Sequence, residues 1–353
     1  MKKLNLLLFL FFGTFCISPI SSQVDTIQSD FKKPAKLFRS QTVLPIKLSY
    51  SNKVLKNKTN DSTYMKTNFS YMDEKNSWDS LEIEIRARGN FRKNNCYFTP
   101  VKISIEKENA KGTLLKGNKK LKLVLPCKTD KFGHDYILKE YLAYKFYEVL
   151  SPFSFKTRLV DINYEELRGK KPKNHDIIGF IIEDDKNVAK RTNGKILKSK
   201  VHPLEQDSEN CVRHAFFQYM IGNIDFSSTY QHNADLIYKD NKIFPVPYDF
   251  DMSGLVNTNY SDMLAPQLEK MNIRDVTVRK YRGFTRHIDV FNSIRQEYLD
   301  KKDDILQCIE EVESLFNSKT QFQNTKEYIR SFYKILADDE LYVEHIVSKA
   351  RTK

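Results

Sequence analysis

The chain contains 353 residues, of which 40% are hydrophobic and 29% charged, and its formal net charge is +13. It has no long Gly/Ser-rich or repetitive stretch, which excludes a flexible linker and a repeat array. The length suits one large domain or two closely packed lobes. The basic surplus suits an acidic partner or an anionic envelope surface.

The first 22 residues have the order of a secretory signal. Lys2 and Lys3 precede an apolar run from Leu6 to Ile17, and the small polar segment ISSQ follows. The run is shorter than the roughly 20 residues that a transmembrane helix needs. We therefore predict that residues 1–22 are removed, that no transmembrane segment remains, and that the protein is exported to the periplasm or cell envelope. An exported chain rarely meets nucleic acid, so none is expected as a partner.

Export makes disulfides allowable among the four cysteines of the mature chain. Cys96, Cys127, Cys211 and Cys308 admit three pairings, and the sequence alone does not select one. We favour Cys96 with Cys127, because both lie beside strands of the same apparent sheet. A zinc site is disfavoured, since none of the four forms a CxxC motif or lies near a spaced pair of histidines.

The sequence pattern predicts β-strands in the first half of the chain. Apolar residues alternate in TVLPIKLSY, SLEIEIRARGN, YFTPVKISI and KKLKLVLPC, and clusters of turn-forming residues separate them. This pattern predicts a mainly antiparallel sheet. A helix is predicted from Asp135 to Leu150, capped by Asp135, with Glu140 on its apolar stripe. Two strands, FKTRLVDINY and DIIGFIIEDD, are predicted to lead away from it.

A polar stretch from Lys186 to Lys200 precedes a second half that reads as helical. SENCVRHAFFQYMIG predicts a helix capped by Ser208 and ended at Gly222. A loop, NIDFSSTYQHN, and a hairpin, ADLIY-KDNK-IFPVPY, follow it. Pro245 and Pro247 are two apart, so both missing donors lie on one edge of their strand, which predicts an edge strand or a two-stranded ribbon.

Several aspartates flank this predicted ribbon in the sequence. Asp249 and Asp251 follow its second strand, Asn233 begins its first strand, and Asp225 lies in the preceding loop. Mg²⁺ prefers oxygen ligands, often a few carboxylates together with phosphate oxygens. We predict that Asn233, Asp249 and Asp251 hold Mg²⁺ or Mn²⁺ against a triphosphate. Asp225 would then orient or deprotonate an attacking hydroxyl.

The motifs RARGN, KLKLVLPC, LKEYLAYKFY, QYMIGNIDFS, HN and PVPYDFDMSG together resemble the spore-coat CotH kinase family, and more closely its exported bacterial relatives. The resemblance spans roughly residues 42–260. It implies an α+β, two-lobed, protein-kinase-like fold, with an antiparallel sheet-rich N-lobe at 23–182 and a mainly helical C-lobe at 183–353. It also implies ATP-dependent phosphoryl transfer, with Asp225 as the catalytic carboxylate and Asn233 and Asp249 as metal ligands.

A protein-kinase-like site needs a lysine on a strand that is paired with a glutamate on a helix. Lys122 with Glu140 is the first choice for this pair, and Lys102 is the second choice for the lysine. Glu183 is expected near the adenine, and Arg88 is expected to neutralise phosphate. The chain departs from the kinase pattern in having no GxGxxG loop, in the longer spacing from Asp225 to Asn233, and in Phe226, where the closest relatives are expected to have Trp.

Two other functions remain open. In a phosphatase of the haloacid dehalogenase type, Asp249 would be the nucleophile and Asp251 the general acid. Pro245 and Pro247 weigh against the central parallel strand that this type requires. The other alternative is a non-catalytic envelope scaffold. The acceptor hydroxyl is unknown, and proteins, glycans and envelope lipids all qualify.

Overall fold

The computed structural model describes residues 31–129 and 131–352, so the predicted signal peptide lies outside the described residues. Within these residues, seven strands close into a barrel in the order β1-β2-β3-β4-β5-β7-β6. They are β1 Leu44–Tyr50, β2 Met65–Met72, β3 Trp78–Ala87, β4 Val101–Ser104, β5 Lys120–Val124, β6 Thr157–Glu166 and β7 Lys173–Ile182.

The predicted fold class is wrong. β1 pairs with β6 in parallel, from Leu44 opposite Val160 to Tyr50 opposite Glu166, whereas the other neighbouring strands are antiparallel. Over the described ranges the chain is a closed, seven-stranded mixed barrel with helices. It is not a two-lobed kinase-like fold with an antiparallel N-lobe sheet and a helical C-lobe. Alternating apolar residues predict a strand, but they do not distinguish an open sheet from one that closes through a distant parallel pair.

Two large apolar clusters lie on opposite faces of β6 and β7. Val160 and Ile181 belong to the cluster that fills the barrel, whereas Leu159 and Phe180 belong to the cluster formed with the helices. Because successive strand residues point to opposite faces, the first residues of β6 and the last residues of β7 are buried on both sides. They join the barrel to the helical part.

The helices are α1 Asn52–Lys58, α2 Asn90–Asn95, α3 Lys131–Leu150, α4 Asp185–Arg191, α5 Ser208–Met220, α6 Ala265–Lys270, α7 Ile288–Asp300, α8 Lys302–Glu310, α9 Lys319–Ala337 and α10 Asp339–His345. Within residues 31–129 and 131–352, no helix has the length and apolarity that a membrane span requires.

Helix boundaries differ slightly from the prediction. α3 begins at Lys131, one turn before Asp135, whose carboxylate instead accepts a hydrogen bond from the Asn317 amide at 2.9 Å. α5 is capped by Asp207 and not by Ser208. Gly222 follows α5 with φ of 64°, as expected for a glycine just past a helix terminus.

The predicted hairpin is confirmed. β8 Lys195–Leu197, β9 Ala234–Lys239 and β10 Lys242–Pro247 form a small antiparallel sheet in the order β10-β9-β8. β10 therefore lies at an edge, where Pro245 and Pro247 are tolerated. The turn residues Asp240 and Asn241 have φ of 48° and 60°, which a tight hairpin of the I′ type requires.

The favoured disulfide is also confirmed. Cys96 and Cys127 are bonded, and Cys211 and Cys308 are free thiols among the described residues. The bond ties the end of α2 to the segment after β5. The Tyr97 amide reinforces this link by donating to the Cys127 carbonyl at 2.7 Å.

Replacing both cysteines of the bond with serine should lower the free energy of unfolding. Cys96 and Cys127 are 31 residues apart, and loss of the constraint on the unfolded chain costs about 3.5 kcal/mol for a loop of this size. Urea unfolding of the double variant under oxidising conditions measures the loss. Cys308→Ser is the control, with an expected loss of about 1 kcal/mol or less; equal losses in both proteins would contradict the prediction.

Candidate functional site

The loop that carries Asp225 is fixed by side chains. Asn233 Nδ2 donates to the Asp225 carbonyl at 2.7 Å and to its carboxylate at 3.1 Å. His232 Nε2 donates to the other carboxylate oxygen at 2.9 Å. Asn233 adopts φ of 53°, an unusual conformation for a residue other than glycine. The Asp225 carboxylate is therefore held in one direction, and about a fifth of its side chain is exposed.

The two ends of the ribbon meet beside this loop. The Tyr248 amide donates to the Asn233 carbonyl at 3.1 Å, which brings Asn233 next to the segment that carries Asp249. Asp249 has φ of 64°, and its amide donates to the Tyr144 hydroxyl of α3 at 3.0 Å. Left-handed backbone at non-glycine residues is costly and clusters at functional sites. The left-handed backbone at Asp249 is therefore one indication that this residue has a function.

Asp251 is buried and paired. The Tyr260 hydroxyl donates to its carboxylate at 3.0 Å, and Arg92 Nη1 lies 3.9 Å from the same oxygen. The same guanidinium nitrogen lies 3.5 Å from Glu140 Oε2. Arg92 also donates to the Leu125 carbonyl, and its Nε is buried with no hydrogen-bond partner among the described residues.

Glu140, Asp225, Asp249 and Asp251 form what we call the carboxylate cluster. Burial raises the pKa of Glu140 to about 8; Arg92 opposes this shift, and the charges of Asp251 and Asp249 add to it. Burial, with the charges of Asp249 and Asp225, raises the pKa of Asp251 to about 6. The carboxylates are therefore incompletely neutralised by Arg92, an arrangement that suits an additional cation.

No three His, Cys, Asp or Glu side chains form a ready-made metal site within the described residues. Any metal here would take only part of its coordination shell from the protein. The predicted ligands Asp249 and Asn233 lie in adjoining segments, because the Tyr248 amide donates to the Asn233 carbonyl. Asn233 directs its amide nitrogen at Asp225, which leaves its oxygen as the ligand atom.

Arg88, Lys102 and Lys122 form what we call the cationic set. Lys102 and Lys122 are opposite each other on β4 and β5, and Arg88 follows β3. Lys122 Nζ lies 4.8 Å from the Phe155 ring and 5.0 Å from the Tyr248 ring. Burial lowers the pKa of Lys122 to about 8, and the charge of Arg88 acts in the same direction. Nearby carboxylates partly balance these cations, since Lys102 lies beside Asp184 and the charges of Asp235, Asp185 and Asp184 oppose the lowering of the Lys122 pKa.

The predicted ion pair between Lys122 and Glu140 is not formed. Among the described residues, Glu140 is paired with Arg92, and Lys102 Nζ lies 4.0 Å from Asp184 Oδ2. The residue that pairs with Glu140 therefore lies in the short helix α2 and not on a strand.

Glu183 has a structural partner. Its carboxylate pairs with Arg191 at 3.1 Å and accepts a hydrogen bond from the Lys156 amide at 3.1 Å. The side chain is almost completely buried. Its carboxylate is therefore occupied, and the expected role near an adenine has no support from these contacts.

Sequence reasoning missed Arg92, Tyr248 and Tyr260. Arg92 follows Arg88 by about one helical turn in RGNFRKNNC, and the Cys96 disulfide holds this segment against the barrel. The spacing from Arg88 and the nearby disulfide cysteine could therefore have identified Arg92 from the sequence. Tyr248 directly precedes Asp249 and was visible in PVPYDFD, but the return of Tyr260 to Asp251 depends on tertiary structure.

Within the part of the chain that the structure describes, cavities of about 200 and 460 Å³ open elsewhere, and no residue of the carboxylate cluster or the cationic set lines them. The case for a site between these two groups therefore depends on charge and hydrogen bonding.

No protein-family model matches this chain, and no curated protein matches it either. The resemblance to the CotH kinase family stays a prediction.

Glu140→Gln should change how stability depends on pH. The folded-state pKa of Glu140, about 8, exceeds its ordinary value of 4.5, so the folded state binds more protons between these values. The contribution of Glu140 to the free energy of unfolding is fully present below about pH 4.5. It decreases as the pH rises towards 8, by up to about 1.4 kcal/mol per pH unit. Relative to wild type, the variant should therefore gain stability from pH 5 to pH 8. Urea unfolding in the presence of a chelator measures this difference.

The control is Glu148→Gln on the same helix. Glu148 is outside the carboxylate cluster and pairs with Lys145 at 3.1 Å and Lys156 at 3.0 Å. A stability difference between Glu140→Gln and wild type that does not grow with pH, or that Glu148→Gln reproduces, would contradict the assignment.

Proposed function

We propose that this chain is an ATP-dependent phosphotransferase that uses Mg²⁺ or Mn²⁺ to transfer phosphate to a hydroxyl-bearing acceptor. The supporting observation is that Tyr248 links the two groups: its ring lies 5.0 Å from Lys122 Nζ of the cationic set, and it directly precedes Asp249 of the carboxylate cluster. Phosphoryl transfer depends mainly on positioning and charge neutralisation. The proposal is argued from this site and not from the fold, because a barrel hosts many functions.

The donor set fits Mg²⁺ or Mn²⁺ better than a metal that needs a complete protein shell. Mg²⁺ commonly takes one or two carboxylates and completes its shell with water and phosphate oxygens. Asp249 and the amide oxygen of Asn233 would supply the protein ligands, and the nearby carboxylate of Asp251 would add negative charge. When bound, the metal would neutralise charge on the phosphates.

The residues of the chain have separable tasks. The cationic set would bind the phosphates, and Arg92 would hold Glu140 and Asp251 in place. In the transfer step, the acceptor oxygen bonds to the terminal phosphorus, the bond from that phosphorus to the ADP oxygen breaks, and Asp225 takes the hydroxyl proton. The hydrogen bonds from Asn233 and His232, which hold the Asp225 carboxylate, support this role.

The alternative phosphatase has less support. Its paired aspartates should follow a central parallel strand, whereas β10 lies at the edge of a small antiparallel sheet. The scaffold alternative shares every contact of the site and differs only in predicting no turnover.

Asp249→Asn should reduce phosphate transfer from ATP by about 100-fold or more while the protein stays folded, because removal of one preorganised charge-stabilising group typically costs this much. The assay follows labelled phosphate from ATP into a fraction of the native envelope. Thermal unfolding with and without ATP and Mg²⁺ tests binding. Wild type should gain about 2.7 kcal/mol at 100 times the dissociation constant, and the variant should gain less.

Asp240→Asn is the matched control. Asp240 also has positive φ, at the opposite end of the same ribbon, and its side chain is 81% exposed. It should retain wild-type turnover. Unchanged turnover in Asp249→Asn would refute the proposed role of Asp249. A wild-type protein that neither binds ATP with Mg²⁺ nor transfers phosphate would favour the scaffold, and phosphate release from an aryl phosphate would favour the phosphatase.

A further inference from the structure

We propose that Arg282 is a positioning residue that fixes the direction of the Asp225 carboxylate by binding the main chain on both sides of it. The inference rests on the proposed role of Asp225. Arg282 Nη1 donates to the Ile224 carbonyl and to the Phe226 carbonyl, the latter at 3.1 Å. Its guanidinium also lies 4.8 Å from the Phe226 ring.

Side chains hold three successive peptide groups around Asp225. In the first, Arg282 binds the Ile224 carbonyl and Asn223 Oδ1 accepts from the Asp225 amide at 2.9 Å. In the second, Asn233 binds the Asp225 carbonyl. In the third, Arg282 binds the Phe226 carbonyl. Because peptide groups are planar, fixing consecutive planes fixes the backbone angles of Asp225 and hence the direction of its side chain.

Asn223 is itself oriented from the core. Its Nδ2 donates to Gln218 Oε1 at 2.9 Å, and Gln218 Nε2 donates to His214 Nε2 at 3.2 Å. Burial lowers the pKa of His214 to about 3, so the ring stays neutral and accepts this bond. Two parts of the molecule therefore hold the loop. One is Asn223 with its partners in α5, and the other is Arg282 in the segment between α6 and α7.

Arg279 provides a matched comparison. It comes from the same segment and is also an arginine whose pKa burial lowers. Its Nε donates to the Met220 carbonyl at 3.1 Å, its Nη1 to Ser331 Oγ at 2.8 Å, and its guanidinium also binds the Tyr328 carbonyl. Arg279 therefore ties α5 to α9, whereas Arg282 binds the carbonyls that flank Asp225.

Arg282→Met and Arg279→Met each keep an unbranched apolar stem and leave main-chain carbonyls without their donor. Both should lose stability in urea unfolding. Arg282→Met alone should lower kcat by about 100-fold with little change in KM for ATP, because a misdirected catalytic group affects the chemical step more than binding. Arg282→Lys should recover part of kcat, since an ammonium can still donate to the carbonyls. ADP release from ATP and Mg²⁺ in the presence of the native envelope fraction measures these values.

Hydrogen exchange provides a readout that is independent of activity. Amides of residues 223–227 should exchange faster in Arg282→Met, and those amides should keep wild-type rates in Arg279→Met. Wild-type kcat in Arg282→Met, or equal exchange in the two variants, would overturn the role of Arg282. A wild-type enzyme without ADP release would instead overturn the proposed function, while the exchange data would still decide whether Arg282 holds the loop.

Discussion

The structure around the candidate site depends on one electrostatic constraint, which is that two buried carboxyl groups of the carboxylate cluster, Glu140 and Asp251, share the buried guanidinium of Arg92. The hydrogen bond from Tyr248 to Asn233 closes the ribbon and brings Asp249 beside the Asp225 loop. Arg92 reaches both Glu140 and Asp251, but it does not balance the whole cluster. Burial is the main cause of the raised pKa values of Glu140 and Asp251, and the charges of the neighbouring carboxylates add to it. A metal bound with phosphate would complete the charge balance.

The groups that meet here come from separate parts of the fold. The barrel supplies the cationic set, and the disulfide and the Leu125 carbonyl hold Arg92 against it. Helix α3 contributes Glu140, and the helical part contributes the Asp225 loop and the ribbon. The site therefore exists only when the barrel and the helices are packed together. The start of β6 and the end of β7, where both faces are buried, provide that packing.

The sequence predicts local features well and distant pairings poorly. Pro245 and Pro247 placed β10 at an edge, Gly222 marked the end of α5, and Cys96 was matched with Cys127, because each signal is local or nearly so. Barrel closure was missed, since β1 and β6 pair across more than a hundred residues and the alternation in β1 fits an open sheet equally well. The partner of Glu140 was misassigned for a related reason: the kinase pattern directs attention to strand lysines, whereas tertiary packing brings Arg92 to that carboxylate.

The central claim is that the carboxylate cluster takes up a divalent cation together with nucleotide phosphates. Calorimetric titration of the protein with Mn²⁺ and ATP near neutral pH, repeated in buffers with different ionisation enthalpies, tests it most directly. The account predicts saturable binding with net release of protons, because Glu140, with a pKa of about 8, holds a proton near neutral pH that the cation would displace. Absence of binding, or binding without proton release, would contradict it.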